Sequence, residues 1–232
     1  MLTNTLIYFL YGLAFFSMGL LVALEGGRSS DERLRKALRP LAGFGLVHGV
    51  HEWLTMFDDL LVQLGHLSHP YLVGVELAML AFSFLSLAAF GSFLLAKTET
   101  AQRVSLIVPL TLETIWVFGL AVFFGKYSSA DMLNLAEVWT RYVLAIPASI
   151  LAAIGLVAQQ RAFRRAGLVR FGQDSLWAAV AFGWYGLVGQ LFTPQSLLFP
   201  STVLNEVLFT NIFNFPIQIF RAVTATAASF FV

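Results

Sequence analysis

The sequence predicts an all-α fold, a polytopic membrane protein built as a bundle of seven transmembrane helices with its N-terminus outside the cytoplasm and its C-terminus inside. Three observations carry that expectation. Of 232 residues, 58% are hydrophobic and only 12% are charged, whereas a soluble domain carries roughly 25% charged residues to hydrate its surface. Apolar runs of about 20 residues, long enough to cross a bilayer as a helix, recur along the chain. Lys and Arg gather in alternate connections between those runs, the pattern that orients membrane proteins.

The first run, residues 6–24, follows Met1 without a preceding basic residue and spans 19 positions. A cleaved signal peptide needs positive charge first and a shorter apolar core, so this segment reads as a first membrane helix. Further helices are expected over 41–61, 72–95, 104–124, 139–158, 176–192 and 216–232. The connection after the first run holds Arg28, Arg33, Arg35, Lys36 and Arg39; Lys97 and Arg103 follow the third, and Arg161, Arg164, Arg165 and Arg170 follow the fifth. Eleven of the 14 Lys and Arg therefore fall on one side, which the positive-inside rule places in the cytoplasm. Of the rest, Lys126 and Arg141 are expected on the opposite side and Arg221 inside the last helix. The opposite side also carries Asp58, Asp59, Asp131 and Glu137, with two longer connections over 125–138 and 193–215. The second is apolar but broken by Pro194 and Pro200, as expected of an interfacial or re-entrant helix over the mouth of the bundle.

Ionisable groups in hydrocarbon are costly and point to function. At 1.5 Å of rise per residue, His48 lies roughly 12 Å, Glu52 roughly 18 Å and Glu113 roughly 14 Å from the cytoplasmic edge of their helices. Arg221 lies near the middle of the last helix, and Glu76 nearer the outer edge of the third. The densest motif is HGVHEW, His48 to Trp53. His48 and Glu52 are four residues apart and share a helix face continued by Thr55, while His51 turns toward a neighbouring helix. Gly45 and Gly49 form a GxxxG pair that admits a close helix neighbour. Imidazole and carboxylate at this spacing suit Zn, Fe or Cu, with His48, His51 and Glu52 as candidate ligands completed by Glu113 or Glu76. The same residues equally suit a pocket for an organic ligand, or a polar network that fixes packing. Arg221 requires a carboxylate partner, for which Glu113 is the first expectation. Pro109 and Pro216 free backbone carbonyls within or at the ends of their helices. Such bends suit a hinge or a binding cavity but are often packing features.

Several classes are excluded or disfavoured. No mid-helix Lys exists in the seventh span for a retinal Schiff base, and without Cys there are no disulfides or thiolate sites. Haem would need an unusual second axial ligand, because the membrane His all fall on one helix. No basic face interleaved with aromatics points to nucleic acid. No Ser–His–Asp set or nucleotide-binding loop is present, and no inverted repeat points to a transporter.

Residues 10–53, LYGLAFFSMGLLVALEGGRSSDERLRKALRPLAGFGLVHGVHEW, and residues 215–225, FPIQIFRAVTA, resemble the N-terminal seven-helix membrane region of some bacterial sensor histidine kinases and diguanylate cyclases. The likeness covers about a quarter of the chain and centres on His48, Gly49, His51, Glu52 and Trp53, with Pro216, Gln218, Phe220 and Arg221 near the end. It implies that residues 1–232 form one sensory input domain in the bacterial inner membrane. It also implies a homodimer, a cytoplasmic output domain and a response regulator in the full-length protein. Consistent with that, the chain stays apolar to Val232 without a closing basic residue, an ending expected of a segment cut from a longer protein. The expected function is sensing of a ligand, lipid-soluble molecule or metal in a mid-membrane polar pocket, signalled through the seventh helix. A metal- or haem-dependent redox protein and a proton-coupled transporter remain as alternatives.

Overall fold

Each apolar run of the sequence becomes a helix, the form in which an apolar segment satisfies its own backbone groups. The computed structural model describes residues 2–28, 31–127 and 129–232. Among them there is no strand, only an isolated bridge between Thr193 and Asn205. The helices are α1 (Leu2–Glu25), α2 (Glu32–Gln63), α3 (Pro70–Leu95), α4 (Glu99–Val104), α5 (Ile107–Phe123), α6 (Ser129–Thr140), α7 (Ile146–Arg165), α8 (Val169–Trp184), α9 (Glu206–Phe213) and α10 (Ile217–Phe231). A π turn, Arg141–Ala145, joins α6 to α7 in one continuous rod, and a second, Tyr185–Gly189, ends α8.

Four helical stretches are long and apolar enough to cross a membrane: Asn4–Arg28, Tyr71–Leu95, Glu99–Phe123 and Asp131–Arg165. α10 is apolar but shorter. α2, at 32 residues, has the length; its basic first turns and the His and acidic residues farther along make it more polar.

The helix contacts close a ring, α1 against α2, α2 against α3, α3 against α7, α7 against α8, α8 against α10, and α10 back against α1. α5 stands outside it, touching α3, α6 and the first π turn. Inside the ring the core is aromatic and small at once, with Tyr11, Phe15, Phe44, Phe84, Phe182 and Tyr185 interleaved with Ala81, Ala88, Ala145, Ala148, Ala152 and Ala225. At one end Arg33 ties α2 to α3 and α7 by donating to the Leu94 carbonyl at 3.0 Å and to Gln159 Oε1 at 2.7 Å. At the other end the helices part around a polar cavity.

The GxxxG pair of α2 meets α1. A Cβ on Gly45 would lie 2.6 Å from the Phe15 carbonyl oxygen and 2.7 Å from Gly19, and one on Gly49 would lie 2.7 Å from the Gly12 carbonyl oxygen. Such contacts force the backbones apart, so only glycine permits this approach. The prolines mark helix boundaries. Pro109 falls in the first turn of α5, just past the turn at Ser105 and Leu106 that parts it from α4, and Pro216 precedes α10, so both stand at helix starts. Pro147 follows the first π turn; its ring would crowd the carbonyl four residues back, and the wider turn relieves that clash. The connection over 193–215 contains only the eight-residue α9, capped at its start by Asn205 and ended by Asn214 in the left-handed region. This separates α9 from α10.

Candidate functional site

His48 sits at the centre of the ring, 1% exposed. Its Nδ1 lies 2.9 Å from Ser83 Oγ, and that hydroxyl already donates to the Leu80 carbonyl at 2.7 Å. Ser83 must therefore accept, so Nδ1 of His48 carries a proton. Its Nε2 faces the Tyr185 hydroxyl at 2.8 Å and the Tyr11 hydroxyl at 3.2 Å, and those two phenols are 2.6 Å apart. The Glu52 carboxylate lies 3.3 Å from the same Nε2. One imidazole thus joins α1, α2, α3 and the second π turn. Both nitrogens of His48 and the hydroxyls of Ser83, Tyr11 and Tyr185 all have hydrogen-bond partners, as a water-excluded network requires.

Above the knot lies a cavity of about 410 Å³. α2 supplies a stripe along one face: Glu52, Thr55 and Asp59, joined by His51. α3 adds Glu76 and α1 adds Tyr8. The facing wall carries two buried guanidiniums. Arg141, where α6 runs into the π turn, donates from Nε and Nη2 to Glu137 Oε1 at 3.0 and 2.9 Å and from Nη1 to Gln190 Oε1 at 2.8 Å. Arg221, on α10, donates from Nε to the Gly189 carbonyl at 2.6 Å and from Nη2 to the Phe192 carbonyl at 2.8 Å. Its Nη1 lies 3.4 Å from Glu206 Oε1 at the start of α9. The carbonyls are free because α8 has ended in its π turn, and a helix C-terminus carries partial negative charge. Gln218 approaches the other Glu206 oxygen at 3.4 Å.

The structure therefore brings together His51, Glu52, Glu76 and Arg221 around one cavity, with His48 directly beneath. It does not bring Glu113 or Trp53. α5 turns Pro109, Leu112, Trp116 and Gly119 inward and leaves Glu113 exposed. The expected Glu113 partner of Arg221 is corrected to Glu206 and two backbone carbonyls. Trp53 packs on α1, its indole N–H donating to the Phe9 carbonyl at 3.2 Å and its ring against Phe9 and Phe16. Arg141, expected in an outer connection, is 8% exposed and part of the site.

The metal expectation meets the same geometry. Both ring nitrogens of His48 are engaged, and among the described residues no group of three or more His, Cys, Asp or Glu side chains is arranged to hold a metal ion. What the arrangement offers chemically is a chamber with charges of both signs at one end and a hydrogen-bonded floor at the other.

Tyr11, Tyr185, Ser83, Glu137, Arg141 and Glu206 were not singled out by sequence reasoning. A legible signal existed for one pair, Glu137 and Arg141 at four-residue spacing. The tyrosines and Ser83 carry no such signal. No family model, curated protein or solved structure matches the chain.

Proposed function

We propose that this chain is the membrane-embedded sensory input domain of a bacterial signal-transduction protein, most closely of the sensor histidine kinase kind. In this reading it crosses the inner membrane seven times, N-terminus out and C-terminus in. A small ligand entering the outer end of the bundle occupies the cavity, and α10 carries the signal to a cytoplasmic output domain. The observation that carries the proposal is Arg221. It lies on the last helix, yet its guanidinium is held by the end of α8 and by Glu206 of α9, on the wall of the cavity. A ligand that competes for Glu206 or Arg221 changes what anchors α10. α9 and α10 are separate helices joined at Asn214, so α10 can shift without dragging α9. A ligand moves such an equilibrium only by its differential affinity for the two arrangements. The alternating basic connections support the orientation, and the likeness of residues 10–53 and 215–225 to seven-helix sensor regions supports the role.

The chain has no Cys, so paired spin labels can be placed without background. Labels at Arg39→Cys and Phe230→Cys report the position of α10 against α2 in protein reconstituted in lipid discs. Glu206→Gln removes the ionic partner of Arg221, and the label distance is expected to shift by about 1–2 Å, the scale of signalling helix movements. An unchanged distance distribution would sink the coupling between the cavity and α10.

A further inference from the structure

The charges around the cavity are not evenly spread. Each guanidinium on one wall already has its own carboxylate, Arg141 with Glu137 and Arg221 with Glu206. The facing wall holds Glu52, Asp59 and Glu76, and among the described residues no Lys or Arg is paired with any of the three. Glu52 has only the two imidazoles beside it, His48 at 3.3 Å and His51 at 3.9 Å.

Two atoms at this wall are buried without any hydrogen-bond partner, Glu76 Oε1 and His51 Nδ1. His51 is 6% exposed, and both residues line the cavity. Its other nitrogen is the one toward Glu52, at 3.9 Å, and a proton drawn to that side by the carboxylate leaves Nδ1 as the acceptor. Buried polar atoms in folded proteins are almost always satisfied, and a carboxylate oxygen and an imidazole nitrogen are both satisfied by a donor.

We infer that the cavity takes a small organic cation, a protonated amine whose N–H groups bond Glu52, Glu76 and His51 of the α2–α3 wall. A volume of about 410 Å³ lies within the usual range for small-molecule sites, roughly 300–1,000 Å³. Tyr8 of α1 adds an aromatic ring to the lining, a group that favours cations. A bare metal ion fits less well, because the donors do not converge on one point. An anion would have to displace Glu137 or Glu206 from arginines they already neutralise. Asp59, exposed at the rim, adds a third negative charge that draws cations in. This inference deepens the sensory reading and rests on it for its biological meaning, while binding itself is measured independently.

The test uses purified chain in lipid discs and calorimetric titration with 1,4-diaminobutane, tyramine and choline, against acetate, glutamate, Ca²⁺ and Zn²⁺. Saturable binding is expected for the two N–H-bearing amines and weaker or no binding for choline. Glu76→Gln should weaken amine binding by about tenfold or more, since it removes a buried charged partner, while Glu113→Gln leaves it unchanged. Glu76 has no ion-pair partner to lose, so Glu76→Gln is expected to keep the wild-type unfolding temperature without ligand, which separates lost binding from lost folding. Binding of the anions alone, of the metal ions alone, or of none of the probes overturns the inference. The spin-label distance is followed in the same samples. Amine binding without movement of α10 upholds the ligand class and counts against the sensory role; movement caused by Glu206→Gln without amine binding does the reverse.

Discussion

Glu52 and Glu113 occupy comparable places in the sequence, each a carboxylate about midway along a predicted membrane helix, and their surroundings are opposite. Glu52 is 4% exposed inside the helix ring, with His48, His51 and the cavity around it. Glu113 is exposed on a helix outside the ring. The stripe His48, Glu52, Thr55, Asp59 faces α3 and the cavity, while the neighbouring face of α2, with Gly45 and Gly49, is taken by α1. α5 touches α3, α6 and the first π turn, with Gly119 against the Trp139 ring of α6, and keeps most of its surface outward. A carboxylate in an apolar helix is therefore only a candidate. Its role is decided by which face the neighbouring helices take.

The sharpest way to break this comparison is to remove the centre of the buried side. His48→Ala leaves Ser83, Tyr11, Tyr185 and Glu52 without their shared partner and opens a void. The expected loss of stability is about 3–5 kcal/mol, the scale of a large core truncation. Unfolding by denaturant in mild detergent measures it, and a loss below about 1 kcal/mol would mean that the knot does not hold the ring.

A smaller effect is expected at the seam that orients α2. Gly45→Val forces side-chain atoms against the Phe15 carbonyl and Gly19, and overpacking of this kind costs about 1–3 kcal/mol. Gly74→Ala, at a position with nothing within 4 Å, is the matched control, and replacing a helical glycine there is expected to be neutral or to gain about 0.5–1 kcal/mol. Equal losses at the two glycines would contradict the close α1–α2 approach.

The smallest effect belongs to the other member of the pair. Glu113→Gln should stay within about 0.5 kcal/mol of wild type and should not alter the α10 label distance. A large change at Glu113 would show that α5 is covered in the assembled protein and that the contrast with Glu52 does not hold.

The helices themselves were legible because a segment that cannot hydrate its backbone has few alternatives to helix. All seven apolar runs coincide with helical segments, and the errors lie at their ends. α2 begins at Glu32 rather than near residue 41, since Asp31 caps it by accepting from the Arg33 and Leu34 amides and the basic residues continue as helix. α6 carries the fifth rod back past Arg141 for a similar reason, its polar residues being satisfied by Glu137 and Gln190. Of the candidate site, HGVHEW was visible because His and Glu are rare in such surroundings. Even there the motif divides: His48, His51 and Glu52 turn inward, while Trp53 turns to α1.

The amino-acid sequence by itself determined the helical class, a close approach of some other helix to the paired glycines of α2, and the presence of a polar site on α2. Those are local matters of hydropathy, spacing and residue size. Only the tertiary structure decided the partners: Tyr11 and Tyr185 for His48, Glu206 and two carbonyls for Arg221, Glu137 for Arg141, and none of these for Glu113. The physical reason is that periodicity names the face on which a residue lies but not the helix that face will meet. The carbonyls that receive Arg221 exist only because α8 ends where it does.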